Sequence, residues 1–226
     1  MTRPLALLRP EPGWTASATA ARAAGIEVIG HPLFDAEPVA WQPPEEDFDA
    51  LLVGSAAVFA HGGAHLASLR ALPVHAVGES TAAAARAAGF AVANAGAGGL
   101  QALLDAAAGR PMRFLRLAGE ERVILAPHPG QSVAERAVYH MVPREIEAAF
   151  AEALTGQAAL IALHSAAAAA HFAREVKRLG IDPATMCLVA LAPRIAEAAG
   201  HGWAAVHIAD APSEAALLAK TAALCQ

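Results

Sequence analysis

The chain has 226 residues, which suits one large domain or two small ones. Its net charge of −5 and isoelectric point near 6.0 argue against a nucleic-acid-binding protein, which normally has a basic face. Hydrophobic residues make up 56% of the chain, but no run of about 18 strongly apolar residues occurs, so we expect no transmembrane helix. Arg9 and Pro10 interrupt the short N-terminal apolar stretch, so we expect no signal peptide.

Apolar runs and alanine-rich helical segments alternate along the first half of the chain. The predicted order is strand LALLRP, helix WTASATAARAAG, strand IEVIGHPLF, a proline- and acid-rich connector at 35–47, strand FDALLVG, a helix after Ser55, strand VHAVG, helix STAAAARAAG, strand FAVANAG, helix GLQALLDAAAG and strand RFLRLAG. This alternation predicts parallel sheets with helices on both faces.

The pattern weakens between Gly119 and Tyr139, where Pro127, Pro129 and Gly130 disfavour a full helix. We expect a short strand and a loop there, followed by the alternating strand ERAVYHMVP. The remainder predicts helix EIEAAFAEAL, strand, helix, strand, helix, strand WAAVHIA and a closing helix that Ser213 caps.

One arrangement occurs twice. An apolar run ends in a serine that opens an alanine-rich helix, and a second run then ends in a glycine- or proline-bearing turn. The first copy has Ser55 and Gly78, and the second has Ser165 and Pro193. The distance along the chain from Ser55 to Ser165 is too long for the period of a solenoid repeat. We therefore interpret the arrangement as a duplicated α/β domain with a cleft between the copies.

Several familiar sites are disfavoured. The segment NAGAGGLQALL lacks the full dinucleotide fingerprint, and VGSAA around Ser55 is not a hydrolase elbow. His61 with His65, and His164 with His171, could each share a helix face, but a metal site needs more ligands. Cys187 and Cys225 show no metal or disulfide spacing, which favours a reducing cytoplasm.

The ordered set LLRP, FDALLVGSAAV, VHAVGESTAAAARAAGF, RFLRLAGEER, AVYHMVP, ALIALHSAA and APSEAALLAKTAAL resembles the uroporphyrinogen-III synthase family over nearly the whole chain. The resemblance implies an α/β protein with two flavodoxin-like domains of parallel sheets, joined by a two-stranded β-ladder. Domain 1 would comprise residues 1–31 and 146–226, domain 2 residues 44–134, and the ladder strands residues 32–43 and 135–145.

The resemblance also implies the reaction. Such enzymes close hydroxymethylbilane, a linear tetrapyrrole with eight carboxylates, into uroporphyrinogen III, with inversion of ring D and loss of water. They use no metal and no organic cofactor. The implied partner is therefore a small molecule, with no nucleic acid and no membrane, and we expect a cytoplasmic monomer.

Tyr139, the single tyrosine, matches a family tyrosine that faces the cleft and can hydrogen-bond the departing hydroxyl. A phenol can donate that bond while neutral at pH 7. By itself, the residue would be interpreted as an interfacial tyrosine on a ladder strand.

Substrate carboxylates suit the strand-to-helix turns, whose backbone N–H groups and helix dipoles attract anions. Arginine can also grip a carboxylate bidentately, although most exposed arginines are merely solvated. The candidate binding residues are Arg9, Ser55, Gly78, Ser80, Thr81, Arg116, Gly119, Arg122, His164, Ser165 and Arg194. At the turns, the alternative is that Ser and Thr only cap their helices.

Two segments depart from the family pattern. The segment from Ala192 to Ile195 replaces a glycine and two threonines, and Arg194 is the residue that could offset the lost hydroxyls. The stretch from Arg122 to Tyr139 is shorter than usual. Two alternatives therefore stay open: a non-catalytic two-domain binding protein for an anionic small molecule, and a nucleotide-dependent α/β enzyme, against which the missing P-loop counts.

Overall fold

The computed structural model describes residues 3–96 and 98–225. The strands are β1 (Leu5–Leu7), β2 (Val28–Gly30), β3 (Phe34–Pro38), β4 (Ala50–Val53), β5 (Val74–Val77), β6 (Val92–Gly96), β7 (Met112–Gly119), β8 (Gln131–Pro143), β9 (Leu160–Leu163), β10 (Cys187–Ala190) and β11 (Ala205–Ile208). The helices are α1 (Gly13–Ala23), α2 (Ala57–His61), α3 (Gly78–Ala87), α4 (Gly99–Ala106), α5 (Ala148–Gly156), α6 (Ala166–Arg178), α7 (Pro193–Ala199) and α8 (Glu214–Leu224). Short 3₁₀ helices occur at Ala64–Leu69 and Pro183–Thr185.

The chain forms two compact units. Unit 1 combines the residues up to Asp35 with those from Val142 onward, and unit 2 is Ala36–Met141. The chain passes between them twice, along β3 and β8. Both crossings fall within strands.

Unit 1 contains a parallel sheet in the order β11-β10-β9-β1-β2. Counted along the chain, that is the 2-1-3-4-5 order of flavodoxin-like folds. The other sheet has the order β3-β8-β7-β4-β5-β6 and is parallel from β8 to β6. Its edge strand β3 is antiparallel to β8, because Leu33 pairs with Arg144 while Val39 pairs with Val138. β3 and β8 overlap the two segments, 32–43 and 135–145, that were predicted as ladder strands.

The two sheets share one strand order once unit 1 is read from β9. Then β9, β10, β11, β1 and β2 occupy the places of β4, β5, β6, β7 and β8. The units are therefore circular permutations of one arrangement. Ser55 and Ser165, the serines of the sequence duplication, each follow the central strand of their sheet.

Each sheet has an apolar cluster on both faces, and successive residues of a strand point to opposite faces. In β1, Ala6 packs into one apolar cluster, whereas Leu5 and Leu7 pack into another. In β4, Leu51 and Val53 face α2 and α3, while Leu52 packs with the α4 residues. This double burial explains why the strands read as continuous apolar runs.

Three predicted elements differ in the structure. The single strand expected over IEVIGHPLF is divided into β2 and the start of β3, and residues 31–33 between them are in no strand. The helix expected after Ser55 is only the five-residue α2, because Gly62 and Gly63 end it before the 3₁₀ helix. The short separate strand expected after Gly119 is absent from residues 120–130, which form a loop, and β8 already begins at Gln131. Within the described residues, no helix has the length and apolarity that crossing a membrane requires.

Candidate functional site

Predicted site residues lie at one end of the unit 2 sheet, on or directly after three adjacent strands. Register places Val53 of β4 opposite Leu117 of β7, and Gly119 of β7 opposite Tyr139 of β8. The Ser55 turn, Gly119 and Tyr139 therefore lie at the same end of this sheet. Open α/β sheets bind their ligands at that end.

Gly119 makes room for the ring of Tyr139. A Cβ atom at position 119 would lie 2.9 Å from Cε2 and 3.0 Å from Cζ of that ring, so the ring would have to shift to admit a side chain at position 119. Gly119 is itself buried. The backbone of β7 thus fixes one face of the phenol.

His61, the last residue of α2, lies on another side of Tyr139. The two ring centroids are 6.1 Å apart, with an angle of 44° between the ring planes. Tyr139 is half-buried, and its hydroxyl forms no hydrogen bond with any residue that the structure describes. The phenol can therefore donate a hydrogen bond to a ligand.

The turn after β5 opens α3. Gly78 is its first residue, Ser80 is exposed, and Thr81 is 4% exposed and faces the interior. At the β4 turn, the Ser55 hydroxyl accepts a hydrogen bond from Ala57 N–H at 3.3 Å. Of the side chains at these turns, those of Ser55 and Ser80 are the more accessible to a ligand.

Arg116 and Arg122 share one carboxylate. Arg116, 2% exposed, donates to Glu135 Oε1 at 2.7 Å and to the Val123 carbonyl at 2.7 Å. Arg122 donates to Glu135 Oε2 at 2.8 Å and to the carbonyls of Glu120 and Gly119. Both arginines therefore hold the 120–130 loop against β7 and β8.

The charge of this cluster is balanced internally. Burial raises the pKa of the Glu135 carboxyl, but hydrogen bonds and positive charge from Arg122 and Arg116 outweigh it, so the pKa lies below its ordinary value. Glu135 is thus ionised at neutral pH. A substrate carboxylate would have to compete with it for either guanidinium.

A second cluster lies at the carboxyl end of the unit 1 sheet. Arg9, which follows β1, donates to Ser17 at 2.9 Å and to Glu214 Oε2 at 3.0 Å. His164, which follows β9, lies with Nε2 3.1 Å from the same oxygen. Glu214, in the first turn of α8, therefore joins two predicted binding residues that are far apart in the sequence.

Burial raises the pKa of the Glu214 carboxyl. The hydrogen bonds from His164 and Ser17 and the positive charge of Arg9 lower it by more, so the pKa lies below the ordinary glutamate value. Because an ionised carboxylate only accepts, the His164 Nε2 carries the hydrogen of their bond. Nδ1 of His164 and Oε1 of Glu214 are buried without a partner among the described residues. This network is not fully satisfied internally.

Ser165 and Arg194 occupy the remaining turns of this sheet. Ser165 is the N-cap of α6 and accepts a hydrogen bond from Ala168 N–H at 3.1 Å. Arg194, at the start of α7, is exposed and has no salt bridge within residues 3–96 and 98–225. Its guanidinium is therefore available to an anion.

The histidine pairs do not form metal sites. His171 is buried, and its Nε2 lies 2.7 Å from the carbonyl of Arg144, whereas His164 binds Glu214. In the part of the chain that the structure describes, no three His, Cys, Asp or Glu side chains come together to hold a metal ion.

Sequence reasoning missed Glu135 and Glu214, the carboxylates that hold the candidate arginines. Each had a local signal: Glu135 interrupts an alternating apolar strand, and Glu214 follows the N-cap Ser213. Only the fold shows which arginine each one meets.

The family model described as uroporphyrinogen-III synthase HemD matches residues 15–219. The chain belongs to the uroporphyrinogen-III synthase family. This is a family of enzymes, cyclising lyases of tetrapyrrole biosynthesis that act on a small-molecule substrate. A comparison with curated protein sequences found no match.

Solved structures are similar over the whole chain. The uroporphyrinogen-III synthetase of Helicobacter pylori 26695 matches with a TM-score of 0.62 and 19% identity, over 98% of this chain and 99% of that one. Thermus thermophilus uroporphyrinogen III synthase matches with a TM-score of 0.45 and 18% identity, over 100% of both chains. The first of these likenesses confirms the predicted two-domain α/β fold.

Proposed function

We propose that this protein converts hydroxymethylbilane into uroporphyrinogen III, inverting ring D and releasing water. The proposal rests mainly on the Tyr139 phenol, which packs against Gly119 at the ligand-binding end of the sheet. Its hydroxyl forms no hydrogen bond with any residue that the structure describes. As the terminal C–O bond of the substrate breaks, the phenol donates its hydrogen bond to the departing oxygen. The remaining task is to bring the two ends of the chain together in the inverted orientation.

The substrate carboxylates would be bound at the strand-to-helix turns. In unit 2 these are the turns of Ser55 and of Gly78, Ser80 and Thr81. Gly119, by contrast, ends β7 and is followed by the 120–130 loop, not by a helix. In unit 1, Arg194 is the guanidinium without an internal partner among the described residues, and Ser165 stands at the neighbouring turn. The hydroxyls of Ser55, Ser80 and Ser165 and the guanidinium of Arg194 are donors that suit carboxylates, and the backbone N–H groups of the turns can add to them.

Arg9, Arg116, Arg122 and His164 differ from Arg194 because each already binds a carboxylate of the protein. Arg9 and His164 would contact substrate at the edge of the Glu214 cluster. Substrate contacts of Arg116 and Arg122 would require release of Glu135. These contacts stay predictions.

We also infer a cytoplasmic location and no nucleic-acid or membrane partner. Both cysteines, Cys187 and Cys225, are free and half-buried, as expected in a reducing compartment. The acidic net charge of −5 supports a small-molecule partner over nucleic acid.

The test is to supply freshly made hydroxymethylbilane and measure the ratio of type III to type I uroporphyrinogen. We expect mainly type III, formed faster than spontaneous closure. Formation of type I uroporphyrinogen alone, at the spontaneous rate, would contradict the proposal and favour the alternative of a non-catalytic binding protein.

Tyr139→Phe isolates the phenol, because it removes the donor and keeps the ring. We expect the rate of type III formation to fall by roughly 10²-fold, while the thermal midpoint stays that of the wild type. Stopped assays with separation of the two isomers measure the rate. A wild-type rate of type III formation by the variant would contradict the assignment of Tyr139 as proton donor.

A further inference from the structure

A pocket of about 560 Å³ lies in unit 2 between the segment after β3 and the turn after α2. Its volume falls within the ~300–1,000 Å³ of small-molecule sites. The side chains that line it include the indole of Trp41 and the imidazoles of His61 and His65. No Asp, Glu, Lys or Arg is among the lining residues that the structure describes.

The pocket walls are held by specific contacts. The Trp41 indole donates from Nε1 to the carbonyl of Gly62 at 2.9 Å and lies edge-on to His65, with ring centroids 5.6 Å apart. At Gly62, a Cβ would lie 2.7 Å from the Val58 carbonyl oxygen, and Gly63 has a φ of +66°. Both positions therefore require glycine, and the turn sets where the two imidazoles stand.

The pocket adjoins the candidate catalytic residue. His61 lines it and also lies against Tyr139, at a centroid distance of 6.1 Å. Neither imidazole has a hydrogen-bond partner within the described residues. A ligand in the pocket would thus meet two free imidazoles, one of which also packs against Tyr139.

We propose that this pocket seats one pyrrole ring of the substrate, with His61 and His65 binding its acetate and propionate carboxylates. The inference rests on the proposed function. An aromatic ring suits the indole wall formed by Trp41, because offset or edge-on aromatic contacts are favourable. Carboxylates suit imidazole N–H donors in a pocket whose lining holds no competing carboxylate. A ring seated here would contact His61, which packs against Tyr139.

The first measurement compares His61→Phe and His65→Phe, which remove the N–H donor and keep a ring, with the wild type. Each variant should raise KM for hydroxymethylbilane about tenfold, since each loses a hydrogen bond to a charged group. The type III product should persist. His201→Phe changes an exposed histidine outside the pocket; it is the matched control and should keep the wild-type KM.

The second measurement needs no substitution and no turnover. Porphobilinogen, a monopyrrole with one acetate and one propionate, is titrated into the ¹³C-histidine-labelled protein. The imidazole signals of His61 and His65 should shift saturably, while that of His201 should not. Benzoate serves as a probe for aromatic carboxylates in general and should bind more weakly.

Both results are required. The inference is overturned if KM stays within about twofold of the wild type in both variants, or if the two imidazole signals do not move up to the solubility limit of porphobilinogen. Absence of type III product in the wild type, with saturable shifts intact, would instead overturn the proposed function and keep the pocket.

Discussion

At the scale of single residues, Gly119 and Tyr139 act as a pair across β7 and β8. The missing side chain at 119 is what lets the phenol lie against the β7 backbone. The position of the Tyr139 phenol, the proposed proton donor, therefore depends on the missing side chain at Gly119.

Gly119→Ala should displace the Tyr139 ring, because the added methyl group overlaps it. Since a shift of about 1 Å in a reacting group can cost 10²-fold, we expect a comparable loss of type III formation. Gly156→Ala is the control, since a Cβ there meets nothing within 4 Å. Equal activity of Gly119→Ala and the wild type would contradict the proposed fixed position of the phenol.

The buried Arg116 depends on Glu135 for its charge balance. Glu135→Gln should lower the free energy of unfolding by about 2–3 kcal/mol, less than a fully buried pair because Glu135 is partly exposed. Glu79→Gln, which breaks the exposed pair with Arg86, should change it by about 0.5 kcal/mol or less. Urea unfolding measures both, and equal losses would contradict the assigned role of Arg116.

At the scale of elements, α6 secures the segment that follows β8. Buried Glu175 accepts from Ile146 N–H at 2.7 Å and forms a bidentate pair with Arg178, which also donates to the Ile146 carbonyl. The hydrogen bond of Arg178 lowers the pKa of Glu175, burial opposes this, and the bond from Ile146 lowers it again; the net pKa is low. The helix thus holds the chain where it returns to unit 1.

This low pKa predicts acid sensitivity. Because the folded pKa lies below that of an unfolded glutamate, about 4.3, the stabilisation is present above that value. It is lost as the pH falls through the lower folded-state pKa. Urea midpoints from pH 7 to pH 3 should fall more steeply for the wild type than for Glu175→Gln. Parallel curves would contradict the assignment.

Element lengths illustrate what sequence patterns can and cannot give. The Ser213 cap and the closing helix were predicted correctly, since a cap acts within one turn of chain. The helix after Ser55 stops at His61, because the Gly62 backbone packs against Val58 and Leu66. Glycine content signalled an interruption, but its position follows from packing.

At the scale of the molecule, two sheets share one circularly permuted strand order. Within the described residues, the large apolar side chains left exposed are Val123 and Ile124 of the 120–130 loop, at 68% and 98%, and Val206 and Ile208 of the edge strand β11, at 40% and 38%. Such a small area falls far short of the roughly 1,200 Å² that stable interfaces bury.

We therefore expect a monomer. Sedimentation equilibrium should give a mass near 23.0 kDa over the micromolar range. A concentration-dependent rise towards twice that mass would contradict this prediction, and Ile208→Lys would then show whether β11 is the interface.

The sequence by itself determined the α/β class, the alternation of elements, the duplication and the family, because these depend on local periodicity and on ordered motifs along the chain. It also singled out Tyr139, the only tyrosine. Only the family resemblance, and no local pattern, predicted that the first two strands of the chain complete the second copy of the duplication.

Tertiary structure alone decided which charges are already paired. Arg9 meets Glu214, and Arg116 meets Glu135, across separations that no sequence spacing encodes. It also placed His61 and His65 around one pocket beside Tyr139, where sequence spacing had raised only a disfavoured metal site. The physical reason is that strand order and register bring together side chains from distant segments, and a local sequence pattern determines neither of them.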